Sequence, residues 1–233
     1  MKVVIFLLLA LASIANAQSD AAATTPDPAM APITDDPKLP RVLIIGDSIS
    51  IGYTLPVRKL LAGEANVHRI PVNGGPTTRG LEQLAAWLGT GRWDVIHFNF
   101  GLHDLKVSDS GEYAVPVAQY ETNLTALVEK LQATGATLIW ASTTPVPAGK
   151  LSPIRRAGDE VIFNAPARRV MDYHGIAIND LHAAALALPA KSQRPANVHF
   201  TPAASAALAK PVAEAIRAAM KRHPRDRAIE PAR

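Results

Sequence analysis

RVLIIGDSIS, residues 41–50, is the stretch that decides the fold. Val42-Leu43-Ile44-Ile45 is a short apolar run without alternation, the pattern of a strand covered on both faces. It stops at Gly46, and Asp47 and Ser48 follow, two residues favoured where a helix begins. A buried strand that turns directly into a helix opens a βα unit, and the pattern recurs downstream. Further strand candidates lie at 66–70, at 93–100 (WDVIHFNF), at 136–141 (ATLIWA) and, more weakly, at 175–178. Between them, residues 55–62, 80–88, 117–133 and 160–173 carry helical spacing, and the Ala-rich stretch 201–221 closes the domain as a helix. Strands alternating with helices require right-handed crossovers, which predicts a three-layer α/β/α sandwich around a central parallel sheet of about five strands.

Outward from this unit the ends of the chain read differently. Residues 1–17 combine Lys2, an apolar run over 3–12 and the small-x-small triplet Ala15-Asn16-Ala17, the organisation of a signal peptide whose removal leaves Gln18 first. The run is about ten residues against the roughly twenty that span a bilayer, so no stable membrane insertion is expected after cleavage, and the protein is expected to be secreted or periplasmic. Residues 18–40 hold Pro26, Pro28, Pro32, Pro37 and Pro40 without apolar periodicity and read as a disordered linker. A single domain over 41–221 suits a chain of 233 residues, and 222–233 read as a basic disordered tail. The formal charge of +4 is concentrated at these ends, where 221–233 holds five Lys or Arg against two Asp or Glu. The folded part is therefore close to neutral, and no nucleic-acid partner is expected. The absence of cysteine excludes disulfides and thiolate metal sites. With no phosphate loop and no His-Glu-x-x-His pair, neither a cofactor nor a metal is expected.

Parallel sheets bind ligands beyond the carboxyl ends of their strands. Ser48 follows the first strand at the start of a helix, where backbone N–H groups can stabilise an oxyanion. His103 and Asp104 follow the third strand. His199 stands just before the closing helix, whose start is marked by Thr201 and Pro202, and a serine hydroxyl needs such a base to become a nucleophile. Thr143, Thr144 and Pro145 follow the fourth strand and are expected to line the substrate cleft. Trp87, Trp93 and Trp140 read as core, and Arg155, Arg156, Arg168 and Arg169 as solvated faces.

These residues resemble the ordered blocks of the SGNH (GDSL-type) hydrolase superfamily over roughly residues 41–220. Gly46-Asp47-Ser48-Ile49 resembles Gly-Asp-Ser-Leu, which implies Ser48 as nucleophile and as one oxyanion donor, with Asp47 in support. Within Asn73-Gly74-Gly75-Pro76-Thr77-Thr78, Gly75 resembles the glycine whose N–H faces the oxyanion, with Asn73 beside it. The third block, usually Gly-x-Asn-Asp, is here Gly101-Leu102-His103-Asp104, so the resemblance implies His103 as the third oxyanion donor. A neutral imidazole can donate there only in the correct tautomer. The run VIHFN-x-GLHDL is similar to a subgroup of secreted bacterial SGNH proteins. The last block is usually Asp-x-x-His, implying His199 as base, yet Ala196 stands where the orienting acid is expected. The Asn197 side chain, a backbone carbonyl, or a carboxylate such as Asp159 or Asp180 are the candidates to replace it.

The resemblance implies a flavodoxin-like SGNH fold and a secreted serine ester hydrolase. Through an acyl-enzyme, it would remove short acyl groups, acetyl first, from a small-molecule or polysaccharide ester. The alternatives are a non-catalytic glycan-binding descendant and a lipase- or thioesterase-type acyl hydrolase.

Overall fold

The computed structural model describes residues 27–222; the signal peptide expected over 1–17, the start of the linker and the tail from 223 onwards lie outside the described residues. Five strands, β1 (Arg41–Ile45), β2 (Asn66–Arg69), β3 (Val95–Phe98), β4 (Thr137–Ala141) and β5 (Ala177–Asn179), form one sheet in the order β2-β1-β3-β4-β5. All neighbours are parallel, with Val42 opposite both Val67 and Val95, and Val95 opposite Thr137. Six helices connect and cover them: α1 (Ser48–Leu60), α2 (Thr77–Leu88), α3 (Val117–Gln132), α4 (Asp159–Tyr173), α5 (Leu181–Leu186) and α6 (Pro202–Met220). Helices α1, α5 and α6 pack together in one layer, and α2, α3 and α4 in the other. The expected three-layer architecture with a five-stranded parallel sheet is the one observed.

Because both faces of the sheet are covered, its central strands are buried throughout: Val42, Ile44, Ile45, Val95, Ile96, Phe98, Trp140 and Ala141 are all fully enclosed. His97 lies among them on β3, its Nε2 bonded to Asn179 at 3.2 Å, and burial holds its pKa down at about 4. Trp87, Trp93 and Trp140 are core residues, as expected.

Two elements depart from expectation, while helix α1 starts at Ser48 as its cap residues indicate, seven residues before its apolar spacing shows, with Asp47 accepting from Ile49 N at 2.9 Å. Its buried stripe of Ile49, Tyr53 and Val57 is interrupted by small and polar residues. Helix α5 is too short to show a period, and is set by Asp180, whose side chain accepts from Ala183 N. Residues 27–40, expected within a disordered linker, instead lie on the domain. A single helical turn at Pro28–Met30 buries Ala29, and Arg58 donates to the carbonyls of Pro28 and Ala31. Asp35 pairs with Arg41 and His68, and Asn66 exchanges hydrogen bonds with the Asp36 backbone. Polar bonds to the backbone hold this segment, so it needs no apolar period.

The sheet order reverses direction between β1 and β3. Loops leaving these neighbouring strands diverge to opposite faces and open a crevice at the carboxyl edge. Ser48 follows β1 there, and the segment 99–106 follows β3.

Candidate active site

The turn that carries Ser48 is built from below by Arg69, at the end of β2. Its guanidinium donates to the carbonyls of Gly46 (2.8 Å), Asp47 (3.1 Å), Ile70 (2.7 Å) and Val72 (2.7 Å), and to Ser50 Oγ (3.0 Å). Burial pulls its pKa down to about 10, so it stays charged. This clamp holds the turn that lifts Ser48 to the sheet edge. The Ser48 N–H stands in the first turn of α1, where helix geometry supplies no acceptor. Sequence reading passed over Arg69; its one signal was a charge at the end of a buried strand.

The opposite wall is a tight excursion before α6. Gln193 and Phe200 form a β-bridge, and Arg194 N donates to His199 O at 2.9 Å. At its tip Asn197 N closes a turn onto Arg194 O at 3.2 Å, with Pro195 at the first corner and Ala196 at the second, where φ is +47°. This turn aims Asn197 back at the imidazole. Asn197 Oδ1 accepts from His199 N at 2.9 Å and pairs with His199 Nδ1 at 2.6 Å. Accepting from the backbone N–H fixes which end of the amide faces the ring, so Nδ1 carries the proton and Nε2 presents a lone pair. That Nε2 lies 2.8 Å from Ser48 Oγ. Burial lowers the His199 pKa, Asp47 opposes this, and Arg194 and Arg155 reinforce it.

Of the other orienters considered, Asp180 is engaged with Ser142, Ala183 and Arg168. Asp159 lies buried at the start of α4. Asn197 is thus the partner of His199, one residue after the position where an aspartate was expected.

The expected oxyanion donors divide. His103 lines the cleft, and its Nδ1 lies 3.0 Å from Lys106 Nζ. An ammonium only donates, so Nδ1 accepts and the ring proton belongs on Nε2. Burial pushes the His103 pKa well down, which keeps the ring neutral. Gly75, by contrast, gives its N–H to Asn73 Oδ1 at 3.0 Å and does not line the cleft. Nor is it the glycine that permits close approach. A Cβ on Gly74 would meet Gly46 O at 2.9 Å, whereas Gly75 is required by its φ of +68°. Asn73 does line the cleft, and with Oδ1 engaged its amide nitrogen is left to face a ligand.

Asp104 lies behind the site. One oxygen accepts from Thr77 N (2.8 Å) and Thr77 Oγ1 (2.5 Å), tying the 73–77 turn to the 101–104 turn, while the other is buried without a partner. Burial raises its pKa to about 6. Two expectations are corrected. Thr143 and Thr144 are buried and do not line the cleft, because Thr143 Oγ1 turns inward to Phe100 O. Arg155, expected on a solvated face, is 8 % exposed and lines the cleft. Ser48 and His199 sit between two hollows, one of about 230 Å³ carrying Asn73, His103, Lys106 and Arg155, the other of about 330 Å³ carrying Asp27, Arg194 and Phe200. Among the described residues, no group of three His, Asp or Glu side chains is placed to share a metal ion, and no helix is long and apolar enough to cross a membrane.

Comparison with known proteins gives this geometry its family context. The structure is similar to an acetyl xylan esterase, AlAXEase (16% identity, TM-score 0.66, 76% of this chain and 99% of that one). It is likewise similar to a lipase/acylhydrolase from Enterococcus faecalis (20%, 0.66, 77% and 96%). A variant of an acetyl-xylooligosaccharide esterase from Geobacillus also matches (18%, 0.64, 76% and 94%). At such identities these likenesses establish the fold. No curated protein matches the chain. The model of the GDSL-like lipase/acylhydrolase family matches residues 44–207, a span that begins within β1 and ends within α6. With the sheet, its order and the sequence blocks all in agreement, the chain belongs to the GDSL-like lipase/acylhydrolase family and is an ester hydrolase of SGNH fold.

Proposed function

We propose that this protein is an exported serine esterase that removes short acyl groups, acetyl first, from carbohydrate esters. The observation that carries the catalytic part is the chain Ser48 Oγ, His199 Nε2, His199 Nδ1, Asn197 Oδ1, with contacts of 2.8 and 2.6 Å. His199 takes the Ser48 proton as Oγ attacks the acyl carbon. The tetrahedral oxyanion is met by Ser48 N–H, the Asn73 amide and His103 Nε2–H, all fixed before substrate arrives. The imidazolium then protonates the departing alkoxide. Water, deprotonated by His199, releases the acyl group and restores Ser48. Lys106 holds His103 in the tautomer that donates.

The acetyl and carbohydrate assignments rest on the two neighbours that are acetyl esterases of xylan or xylooligosaccharide. Export rests on residues 1–17. In the deciding experiment, wild type hydrolyses 4-nitrophenyl acetate and is labelled by a fluorophosphonate probe, while Ser48→Ala loses at least about 10⁴-fold in turnover and all labelling. Equal rates in the two proteins end the catalytic reading. A series of acyl chain lengths, with acetate release from acetylated xylan, separates a carbohydrate deacetylase from a lipase.

A further inference from the structure

The hollow that carries the oxyanion donors also carries more positive charge than negative, two cations against one carboxylate. Arg155, between the cleft-lining segment 151–153 and α4, is more than nine-tenths buried, and its Nε donates to Leu102 O at 2.8 Å. Among the described residues, no carboxylate forms an ion pair with it. Its two η nitrogens bond to no atom of the described residues, yet neither is sealed from solvent, so they open onto the cleft that Arg155 lines. Lys106 adds a second positive charge in the same hollow. Its sole acidic lining residue is Asp47, whose Oδ1 is held by Ile49 N.

A buried guanidinium is costly unless an anion meets it, and among the described residues no carboxylate lies within ion-pair distance, Asp47 acting on it only from farther off. With Nε engaged, the part of the fork left free is the end-on Nη1/Nη2 pair, whose two parallel donors match the two oxygens of a carboxylate. We propose that the anion is brought by the substrate: the outward edge of Arg155, assisted by Lys106, binds a carboxylate carried by the ester that Ser48 cleaves. The substrate class is therefore an acidic ester, either an acylated uronic acid or an ester of a short dicarboxylic acid. A hollow of about 230 Å³ holds one small group of this kind. Burial lowers the Arg155 pKa and Asp47 counters it, so the guanidinium remains a cation while waiting for its partner.

This proposal rests on the ester-hydrolase reading, and the test separates the two. One arm compares acetylated galacturonic acid with its methyl ester, the other monophenyl adipate with its methyl ester. Each pair differs in the carboxylate charge and the one methyl group that masks it, placed on the alcohol side in one arm and on the acyl side in the other. Wild type is expected to prefer the free acid in kcat/KM by about ten- to a hundredfold in one arm, which locates the anion. In Arg155→Gln the acid-to-ester ratio is expected to fall to within about twofold of unity. Because the ratio is taken within each protein, a general loss of activity cancels. Methyl esters turned over as well as the acids in both arms by wild type, or a preference intact in Arg155→Gln, overturn the proposal. If no ester is cleaved and the fluorophosphonate fails to label Ser48, the ester-hydrolase reading falls on its own. Calorimetric titration of wild type and Arg155→Gln with galacturonate and with adipate then decides the anion site. Binding abolished by the substitution supports it, and no binding to wild type refutes it.

Discussion

In Asn197→Asp, a carboxylate replaces the amide 2.6 Å from His199 Nδ1 with almost no change of shape. In the native site, burial lowers the His199 pKa and Arg194 and Arg155 lower it further, with Asp47 alone opposing. A negative charge in direct contact stabilises the imidazolium and raises a pKa by about 1–3 units. On the proposed mechanism the base is the neutral ring, so wild-type kcat/KM is expected to climb as pH rises through the His199 pKa, with a midpoint below the ordinary imidazole range. In Asn197→Asp that midpoint moves up by about 1–3 units. The plateau above it rises too, since the Nδ1 bond becomes charge-assisted as the proton arrives, worth about 1 kcal/mol more than a neutral bond, or about fivefold. Asn197→Ala removes the acceptor altogether and lowers the plateau by about ten- to a hundredfold. The assay is kcat/KM for 4-nitrophenyl acetate between about pH 4 and 9, with fluorophosphonate labelling as a check on Ser48. An acid limb unmoved in Asn197→Asp, or an Asn197→Ala rate within twofold of wild type, would refute the reasoning.

Two further outcomes concern the frame around the site. The Asp104 pKa is raised from 3.8 to about 6 by burial, so the native state binds a proton that the unfolded chain releases; the stabilisation this confers is complete below 3.8 and is lost as pH rises through about 6. The change is about 3 kcal/mol, and the difference in urea stability between wild type and Asp104→Asn is expected to shift by that order between about pH 3.5 and 7; parallel curves refute it. Arg69→Met leaves the carbonyls of Ile70 and Val72 without their side-chain donor and takes one donor from those of Gly46 and Asp47, which keep Gly74 N and Ser50 Oγ respectively. It is expected to cost about 3 kcal/mol and to lower Tm by roughly 6–12 °C, and an unchanged Tm in a thermal melt contradicts the clamp.

The fold was legible because the strands at the centre of the sheet declare themselves. Val42 to Ile45 is apolar without alternation, and the core of WDVIHFNF is so but for His97, a pattern stable in a sheet covered on both faces. What escaped reading is whatever is held by polar bonds between distant parts of the chain. Residues 27–40 show no apolar period because side chains of Arg58 and Asn66 hold their backbone. Arg155 looks like any arginine beside a loop until Leu102 O is seen to anchor it. Ser48, His103 and His199 were legible as members of a cleft because each follows a strand or precedes a helix. Of their partners, Asn197 was legible as one of several candidates to orient His199, which spacing could not choose among, and Lys106 was not, since it reaches His103 through torsions that spacing cannot encode. Gly75 shows the same limit from the other side: a block can be matched residue by residue while the N–H in question turns to its neighbour Asn73.

The neutral orienter and the unpaired cations are two sides of one electrostatic arrangement. An aspartate at position 196, where the family pattern has it, adds a negative charge to a site in which Arg155 and Arg194 both act on His199. Ala196 carries none, and Asn197 holds the ring through an oxygen without net charge. The site thereby gives up part of the stabilisation of its imidazolium, yet keeps a positive field over the hollow beside Ser48. A carboxylate on the substrate, seated against Arg155, then supplies on binding the negative charge that the protein omits. On this argument Asn197→Asp does more than shift the pH profile. The added carboxylate competes with the substrate's for the same positive field, so the preference for acidic over neutral esters narrows in that variant even as turnover of neutral esters rises. Opposite movements of these two quantities in one protein distinguish a shared field from two independent features.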